Sequence, residues 1–277
     1  MPPNSTYTGV WITVPMLDLR LALVAVSFEV EAGAYDRFMG RYSSPLAPSF
    51  ADFAGVVPGD RVLDVGCGPG ALTDELVRRT SPASVSAVDP SRSFIAAVQE
   101  RHPQVDVRQS SAEQIPFDDG TFDSTLAQLV VHFMHDPVVG LREMARVTVH
   151  HGTVAACVWD HGSGGGPLSI FWEAAHVLDG SVQDESQLAG ARRGHLGQLF
   201  REAGLESIEE VLLTVSVQHM TFDEWWEPYT LGIGPAGKYV QGLDGTGRLQ
   251  LREQCRRMLP NAPFTLTAGA WAARGLA

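Results

Sequence analysis

Short apolar runs alternate with amphipathic stretches between residues 61 and 158. The runs are about five to seven residues long, rich in Val, Leu and Ala, and bounded by Gly, Pro, Asp or Ser, which is typical of buried strands. We predict strands at Arg61–Val65, Ser84–Val88, Val105–Gln109, Phe122–Gln128 and Thr153–Val158. Apolar positions at helical spacing predict helices at Ala71–Arg79, Ser91–Arg101 and Val138–Val147.

Strands that alternate with helices at this spacing predict a parallel sheet with helices on both faces. Right-handed crossovers then bring the carboxyl ends of the strands to one edge, where α/β proteins bind ligands. The remaining predicted helices are Pro45–Phe53, Leu168–Leu178, Leu196–Ala203 and Gly247–Met258. The remaining predicted strands are Leu205–Val217 and Phe264–Ala272, and we expect these two to pair antiparallel.

The first predicted strand runs into a turn that has glycine at alternate positions, Gly66, Gly68 and Gly70, and a helix follows at once. Glycine allows positive φ and the close approach of a ligand, and the helix N-terminus offers free N–H groups. Asp64 would place a carboxylate beside that ligand, which favours a cation over a pyrophosphate. Asp89, at the end of the second strand, would accept hydrogen bonds from ribose hydroxyls.

The same loop nearly matches the dinucleotide-binding fingerprint. Gly66, Gly68 and Ala71 fit that pattern, and Asp89 follows about 20 residues on, where a ribose-binding acid belongs. A tight turn with no ligand is a third interpretation. Asp64, the polar segment 110–113 and the antiparallel closing strands favour a ligand with an ammonium group over a dinucleotide.

Taken together, these residues resemble the class I S-adenosylmethionine-dependent methyltransferases, the group that includes the ubiquinone and menaquinone biosynthetic enzymes. The similar segments are 35–43, 63–70, 87–91, 112–117, 122–128 and 141–147. The resemblance covers about residues 35–272 and is specific for fold and cofactor. It departs at His150-His151-Gly152, where the family usually has a glycine pair and this chain keeps one glycine for the turn.

The resemblance implies that the chain binds S-adenosylmethionine and releases S-adenosylhomocysteine. The implied cofactor-binding residues are Asp64, Gly66, Gly68, Gly70, Asp89, Pro90, Ala112, Glu113 and Gln128. The glycines let the backbone approach the methionine part, Asp64 lies near its amino group, and Asp89 accepts from the ribose. Pro90 packs on the adenine and residues 112–113 line its edge. Gln128 lies near the sulfonium.

Methyl transfer from a sulfonium requires chiefly that the acceptor and the methyl group are aligned, about 3 Å apart, in a dry pocket. A base is needed only if the acceptor must lose a proton. His132, just past the fourth strand, is the candidate catalytic base, and a packing role is its alternative. His135 follows three residues later, but no third ligand lies nearby, so we expect no metal site.

Aromatic residues are frequent in the segments outside the core. Tyr35, Tyr42 and Trp226 are candidates for the acceptor pocket, where they would stack on a flat, apolar molecule. The alternative is that the aromatic residues of the lid, Trp226 among them, form the lid's own core. The resemblance does not identify the molecule that receives the methyl group.

Charge and composition limit the classes of partner that we expect. A formal net charge of -12 argues against nucleic acid and leaves neutral or cationic small molecules open. Three cysteines far apart in sequence suit a reducing compartment, so we expect a cytoplasmic protein. The apolar segment Val10–Phe28 is interrupted by Asp18 and Arg20, so we expect no stable membrane insertion. The sequence is compatible with a homodimer.

We therefore predict an α/β fold: a seven-stranded, Rossmann-like, mostly parallel sheet with the last strand antiparallel, helices on both faces and a small helical lid. The expected units are an N-terminal extension at 1–30, a cofactor-binding methyltransferase core at 31–160, a lid insertion with a helix at 161–204, and C-terminal core strands at 205–277. A helical cap at about 222–260 is inserted in the last unit, because that connection is too long for a structureless loop.

The predicted function is S-adenosylmethionine-dependent methyl transfer to an oxygen, nitrogen or carbon atom of a small, apolar or aromatic metabolite. One alternative is an NAD-dependent oxidoreductase. The other is a non-catalytic module that binds S-adenosylmethionine.

Overall fold

The computed structural model describes residues 36–277, so the predicted extension at 1–30 lies outside the described residues. The strands are β1 (Val62–Val65), β2 (Val85–Asp89), β3 (Asp106–Gln109), β4 (Phe122–Gln128), β5 (Thr148–Trp159), β6 (Glu206–His219) and β7 (Phe264–Leu276). They form one sheet in the order β3-β2-β1-β4-β5-β7-β6. Neighbours from β3 to β5 are parallel, and β7 lies antiparallel between β5 and β6. The predicted sheet is confirmed.

Helices cover both faces of this sheet. The helices are α1 (Arg41–Ala54), α2 (Ala71–Arg79), α3 (Arg92–Arg101), α4 (Pro137–Val147), α5 (Ser169–Leu178), α6 (His195–Ala203), α7 (Phe222–Trp226), α8 (Gly234–Gly242) and α9 (Gly245–Met258). One buried cluster contains residues of α1, α2, α3 and α5, and the other contains residues of α4 and α6. Strands that are covered on both faces are mainly apolar along their whole length. All four residues of β1 are buried, and three of them are apolar.

The helices α7, α8 and α9 lie between β6 and β7, and we call residues 222–258 the cap. The cap helices contribute buried residues to the cluster that includes α1 and α5. The segment between β6 and β7 is therefore folded, but the division of the chain into units stays a prediction. Of the helices in residues 36–277, none is long and apolar enough to cross a bilayer.

Among the elements that differ from the sequence-based expectation are β5 and α8. β5 begins at Thr148 instead of Thr153, because the chain bulges there: Phe122 pairs with Thr148, whereas Ser124, two residues on, pairs with Thr153. His151 within this bulge has a φ of 64° and is exposed. Helix α8 was not predicted, since its sequence carries glycine at both ends and in the middle, a composition that disfavours helix on local grounds.

Replacing Phe50 with Ala should lower the free energy of unfolding by about 3–5 kcal/mol, because a fully buried phenyl ring on α1 would leave a cavity against the sheet. Phe53→Ala, on the half-buried side of the same helix, is the matched control and should cost clearly less. Urea unfolding of both variants measures the difference. Equal losses would show that α1 does not pack as described.

Candidate functional site

The loop between β1 and α2 takes its shape from hydrogen bonds to β2. The backbone N–H groups of Gly66 and Cys67 both donate to the carbonyl of Val88, at 2.8 and 3.0 Å. The N–H of Gly68 donates to Oδ2 of Asp89 at 2.9 Å. These three bonds fix the loop on the carboxyl end of the neighbouring strand, which is the edge where ligands bind in parallel sheets.

Two glycines in this loop need their missing side chain for different reasons. Gly66 has a φ of 71°, and a Cβ there would lie 2.5 Å from Cγ2 of Val130, so no side chain fits. Gly68 has a φ of 54°, and a Cβ there would meet nothing within 4 Å. The backbone at Gly68 therefore borders open space, while Gly66 is covered by protein. Gly70 precedes α2 as its N-cap.

Asp64 lies at the end of β1 and is 1% exposed. Its Oδ2 accepts a hydrogen bond from the hydroxyl of Thr73 on α2, at 2.6 Å, which ties the strand to the helix across the loop. Burial raises the pKa of Asp64 to about 7, the Thr73 hydroxyl opposes that rise, and the nearby Asp89 adds to it. A neighbouring cation would favour the ionised form of this carboxyl group.

Asp89 is the second buried carboxylate beside the loop. Its Oδ2 accepts from Gly68 N–H, and its Oδ1 accepts from Ser91 N–H at 2.8 Å. Burial raises the pKa of Asp89, and the two backbone N–H groups oppose that rise. Burial, followed by the charges of Asp64 and Asp89, also raises the pKa of the Cys67 thiol. The loop is thus set between two acidic groups, which suits a cationic ligand and repels a phosphate.

The predicted adenine side is formed by the segments after β2 and β3. Pro90 is exposed and Ala112 is buried. Oε1 of Glu113 accepts from the backbone N–H groups of His135 and Asp136, at 2.7 and 3.4 Å. Glu113 therefore joins the segment after β3 to the loop after β4, a bracing contact that its sequence position did not reveal.

Gln128 ends β4 and is buried. Its Nε2 donates to the carbonyl of Ser43 on α1 at 3.1 Å, while its Oε1 is buried without a hydrogen-bond partner. A buried acceptor left unpaired is costly, so this oxygen is available to a ligand that carries a donor or positive charge.

His132 lies in a short 3₁₀ turn after β4 and lines a pocket that we call the first pocket. Its apolar lining residues are Phe38, Met39, Leu129, Phe133, Trp159, Leu168, Ile233 and Pro235. Nδ1 of His132 is buried and has no hydrogen-bond partner. Burial, together with His161, lowers the pKa of His132 to about 3. The imidazole is therefore neutral and can accept a hydrogen bond in an apolar environment.

Another pocket lies beside the first and shares Phe38, Met39 and Leu168 with it. We call it the second pocket. Tyr42 and Trp225 line it, and the contact of Tyr42 with a methyl acceptor stays a prediction. The two pockets form adjoining space between α1, the cap and the end of β5.

A hydrogen-bonded triad fixes the hydroxyl of Tyr42. Nη1 of Arg41 lies 3.0 Å from Nδ1 of His219, and the Tyr42 hydroxyl lies 3.1 Å from Nε2 of the same ring. Because a guanidinium only donates, Nδ1 must accept and Nε2 must carry the proton that it donates to Tyr42. Burial and then Arg41 lower the pKa of His219 to about 4, consistent with a neutral ring. The hydroxyl hydrogen of Tyr42 is thereby left for another acceptor.

The other predicted pocket residues have separate outcomes. Trp226 is buried in the aromatic cluster of the cap, where its ring stacks on Phe222 with centroids 6.4 Å apart. Tyr35 lies outside the described residues. The roles of all the predicted site residues stay predictions.

Sequence reasoning missed His161, Glu185 and His219. The first two line the first pocket and the third lines the second. His161 stands in the glycine-rich hinge after β5, which was a signal for a ligand-facing segment, but the other two belong to no motif. Among residues 36–277, no group of three or more His, Cys, Asp and Glu side chains is arranged to hold a metal ion.

Comparison with known proteins adds family evidence to this geometry. A family model described as a methyltransferase domain matches residues 63–156. An uncharacterised methyltransferase of Mycobacterium tuberculosis is 32% identical over 167 residues, which are 60% of this chain and 60% of that protein. The demethylmenaquinone methyltransferase of Renibacterium salmoninarum is 30% identical over 161 residues, 57% of this chain and 67% of that enzyme. This chain thus spans about 60% of the length of the mycobacterial relative.

The fold also matches solved structures. A Thermotoga maritima protein described as an S-adenosylmethionine-dependent methyltransferase and possible histamine N-methyltransferase has a TM-score of 0.55 at 18% identity. The match covers 90% of this chain and 97% of that one. At this identity the similarity concerns the fold alone.

Alanine at Gly66 and at Gly68 should have different effects. Gly66→Ala forces a Cβ against Val130 and should lower the free energy of unfolding by several kcal/mol, about 2–4. Gly68→Ala carries only the backbone cost of positive φ, about 1–2 kcal/mol, but it should weaken S-adenosylhomocysteine binding about tenfold or more by filling the ligand's approach. Chemical unfolding and calorimetry measure the two quantities. A stable Gly66→Ala variant, or unchanged affinity in Gly68→Ala, would contradict this description.

Replacing His132 with Gln should make the free energy of unfolding fall less steeply as the pH is lowered. The folded imidazole has a pKa of about 3, whereas the ordinary value is 6.5. Between these values the unfolded chain binds a proton that the folded protein does not. The free energy of unfolding of the wild type therefore falls as the pH falls, by up to about 1.4 kcal/mol per pH unit.

The check is urea unfolding of both proteins between about pH 7 and about pH 4. The stability of the wild type relative to His132→Gln should decrease steadily toward acid. Asp64, whose pKa is shifted the other way, is present in both proteins and cancels in the difference. A difference that does not change with pH would show that His132 is not buried as described.

Proposed function

The chain belongs to the class I S-adenosylmethionine-dependent methyltransferases, and we propose that it transfers a methyl group from that cofactor to a small, apolar or aromatic metabolite. The acceptor atom is an oxygen, a nitrogen or a carbon. The observation that carries the proposal is the pair of buried carboxylates, Asp64 and Asp89, on either side of a loop with open space at Gly68. A ligand with a positive ammonium and sulfonium stabilises both carboxylates in their ionised form.

The residues of the loop edge fit this cofactor. Gly68 gives it access to the backbone, and each Asp89 oxygen keeps a lone pair for a ribose hydroxyl beyond the backbone N–H it already accepts. The unpaired Oε1 of Gln128 offers an acceptor at the end of β4. When bound, the cofactor supplies a methyl group already activated by its positive sulfur.

The protein's own contribution to transfer is alignment and exclusion of water. The first pocket is mainly apolar, so a methyl acceptor placed there exchanges part of its contact with water for contact with apolar side chains. His132 is the candidate base for a methyl acceptor that must lose a proton, but a pKa of about 3 makes its imidazole a weak base, which accepts a hydrogen bond more readily than it takes up the proton. A carbon or neutral nitrogen nucleophile that needs no base would use His132 only as part of the pocket wall.

Composition supports a small-molecule substrate and a cytoplasmic location. The net charge of -12 disfavours nucleic acid as a substrate and is compatible with a small molecule. All three cysteines are buried and unpaired, which fits the reducing cytoplasm.

Asp89→Ala should weaken binding of S-adenosylhomocysteine by about 1–3 kcal/mol, because it removes the acceptor of the ribose hydroxyls. Asp136→Ala is the matched control, since its carboxylate also accepts from two backbone N–H groups, at the start of α4. The control should lose stability and keep its affinity. Isothermal calorimetry with S-adenosylhomocysteine and, in parallel, with NAD measures both variants and the wild type.

Heat with NAD and none with S-adenosylhomocysteine would favour an oxidoreductase and contradict the proposal. Cofactor binding without any product that gains one methyl group, after incubation with a broad panel of small aromatic acceptors and with cell extract, would favour a non-catalytic binding module. Mass spectrometry of the extract detects the methylated product directly.

A further inference from the structure

The first pocket contains a buried carboxylate that the cofactor loop does not use. Glu185 lies in the segment after α5, is 4% exposed, and lines the pocket together with His132 and His161. Its Oε2 accepts a hydrogen bond from the indole N–H of Trp172 at 2.6 Å. Among residues 36–277, its Oε1 has no hydrogen-bond partner.

The surroundings hold this carboxylate in place. Trp172 belongs to α5, and its ring packs edge-on against Phe171 with centroids 5.0 Å apart. The carbonyl of Glu185 accepts from Leu188 N–H at 3.1 Å, so the backbone is fixed as well. The carboxylate is therefore a built part of the pocket wall and not a surface side chain folded inward.

A buried carboxylate with a single neutral donor is only partly stabilised. Burial raises the pKa of Glu185, and His161 and the Trp172 indole N–H offset this only in part. Oε1 is absent from the fully buried polar atoms that lack a partner, so it is accessible, and an occupant of the pocket that carries a donor can bond to it.

The same pocket is lined by a second group with an acceptor. The ring of His132 is neutral and its Nδ1 is buried without a partner, and a neutral imidazole has one ring nitrogen that accepts. The polar groups of an otherwise apolar pocket therefore include two acceptors, Glu185 and His132. The complementary occupant has an apolar body and at least one hydrogen-bond donor.

We propose that Glu185 selects the methyl acceptor, by accepting a hydrogen bond from an O–H or N–H group on a flat, apolar molecule in the first pocket. This inference rests on the proposed function, because it specifies the acceptor of that transfer. It disfavours molecules whose only polar atom is an ether or carbonyl oxygen, since that atom would face a carboxylate. A hydroxyl and an amine offer the same donor chemistry, and the experiment separates them.

The test uses three probes of one shape: 2-naphthol, 2-naphthylamine and 2-methoxynaphthalene. Each is titrated into the full chain saturated with S-adenosylhomocysteine, with calorimetry as the readout. The wild type should bind at least one donor probe about tenfold or more tightly than the methyl ether. Which donor probe binds more tightly identifies the hydroxyl or the amine as the recognised group.

Glu185→Gln should reduce that preference to within about twofold, because the amide keeps the shape and the bond from Trp172 but loses the charge. Glu173→Gln, an exposed position on α5, changes the net charge equally and should keep the wild-type preference. A preference that persists in Glu185→Gln overturns the proposal, as does a wild type that binds neither donor probe or does not distinguish the ether.

S-adenosylhomocysteine binding separates this inference from the one on which it rests. Glu185→Gln should bind S-adenosylhomocysteine with wild-type affinity and melt at a similar temperature. A wild type that gives no heat with S-adenosylhomocysteine refutes the proposed function itself. A wild type that binds it normally but shows no preference among the probes refutes only the role of Glu185.

Discussion

The absence of a side chain at Gly66 is the constraint on which the rest of the site depends. Val130 packs where a Cβ of Gly66 would be, so the loops after β1 and β4 can lie in contact. That contact sets the height of the glycine loop over the sheet edge, and it also places the turn that carries His132, two residues past Val130. The glycine loop and the turn that lines the first pocket are thus positioned by one close approach of two loops.

The glycine loop and the first pocket favour ligand groups of different charge. Beside the loop, Asp64 and Asp89 are buried together and favour a cationic ligand. In the first pocket, Glu185 and His132 offer acceptors to a donor. Methyl transfer from a sulfonium needs both properties at once. The positively charged methyl donor is held by carboxylates, and the neutral methyl acceptor is held in a dry, mainly apolar space.

The parts of the fold that were predictable are those encoded by neighbouring residues. The strands β1 to β4 and the glycine loop follow from local apolar runs and from positions that require glycine. The bulge in β5 depends on register with β4, and α8 depends on packing within the cap, so neither has a local signal. The same limit explains why Asp64 and Asp89, which flank the glycine motif, were candidates from the sequence, whereas Glu185 and His219, whose positions depend on the fold, were not.

The cap leaves the sheet and returns to it at one place. His219 ends β6, Phe264 begins β7, the two are paired in register, and their rings stack with centroids 5.3 Å apart. A long excursion whose ends are already joined by a hairpin adds little strain to the sheet, whatever its length or sequence. Insertions or deletions within the cap can therefore change the part of the pocket wall that Ile233 and Pro235 supply without altering the pairing of β6 with β7 or the glycine loop.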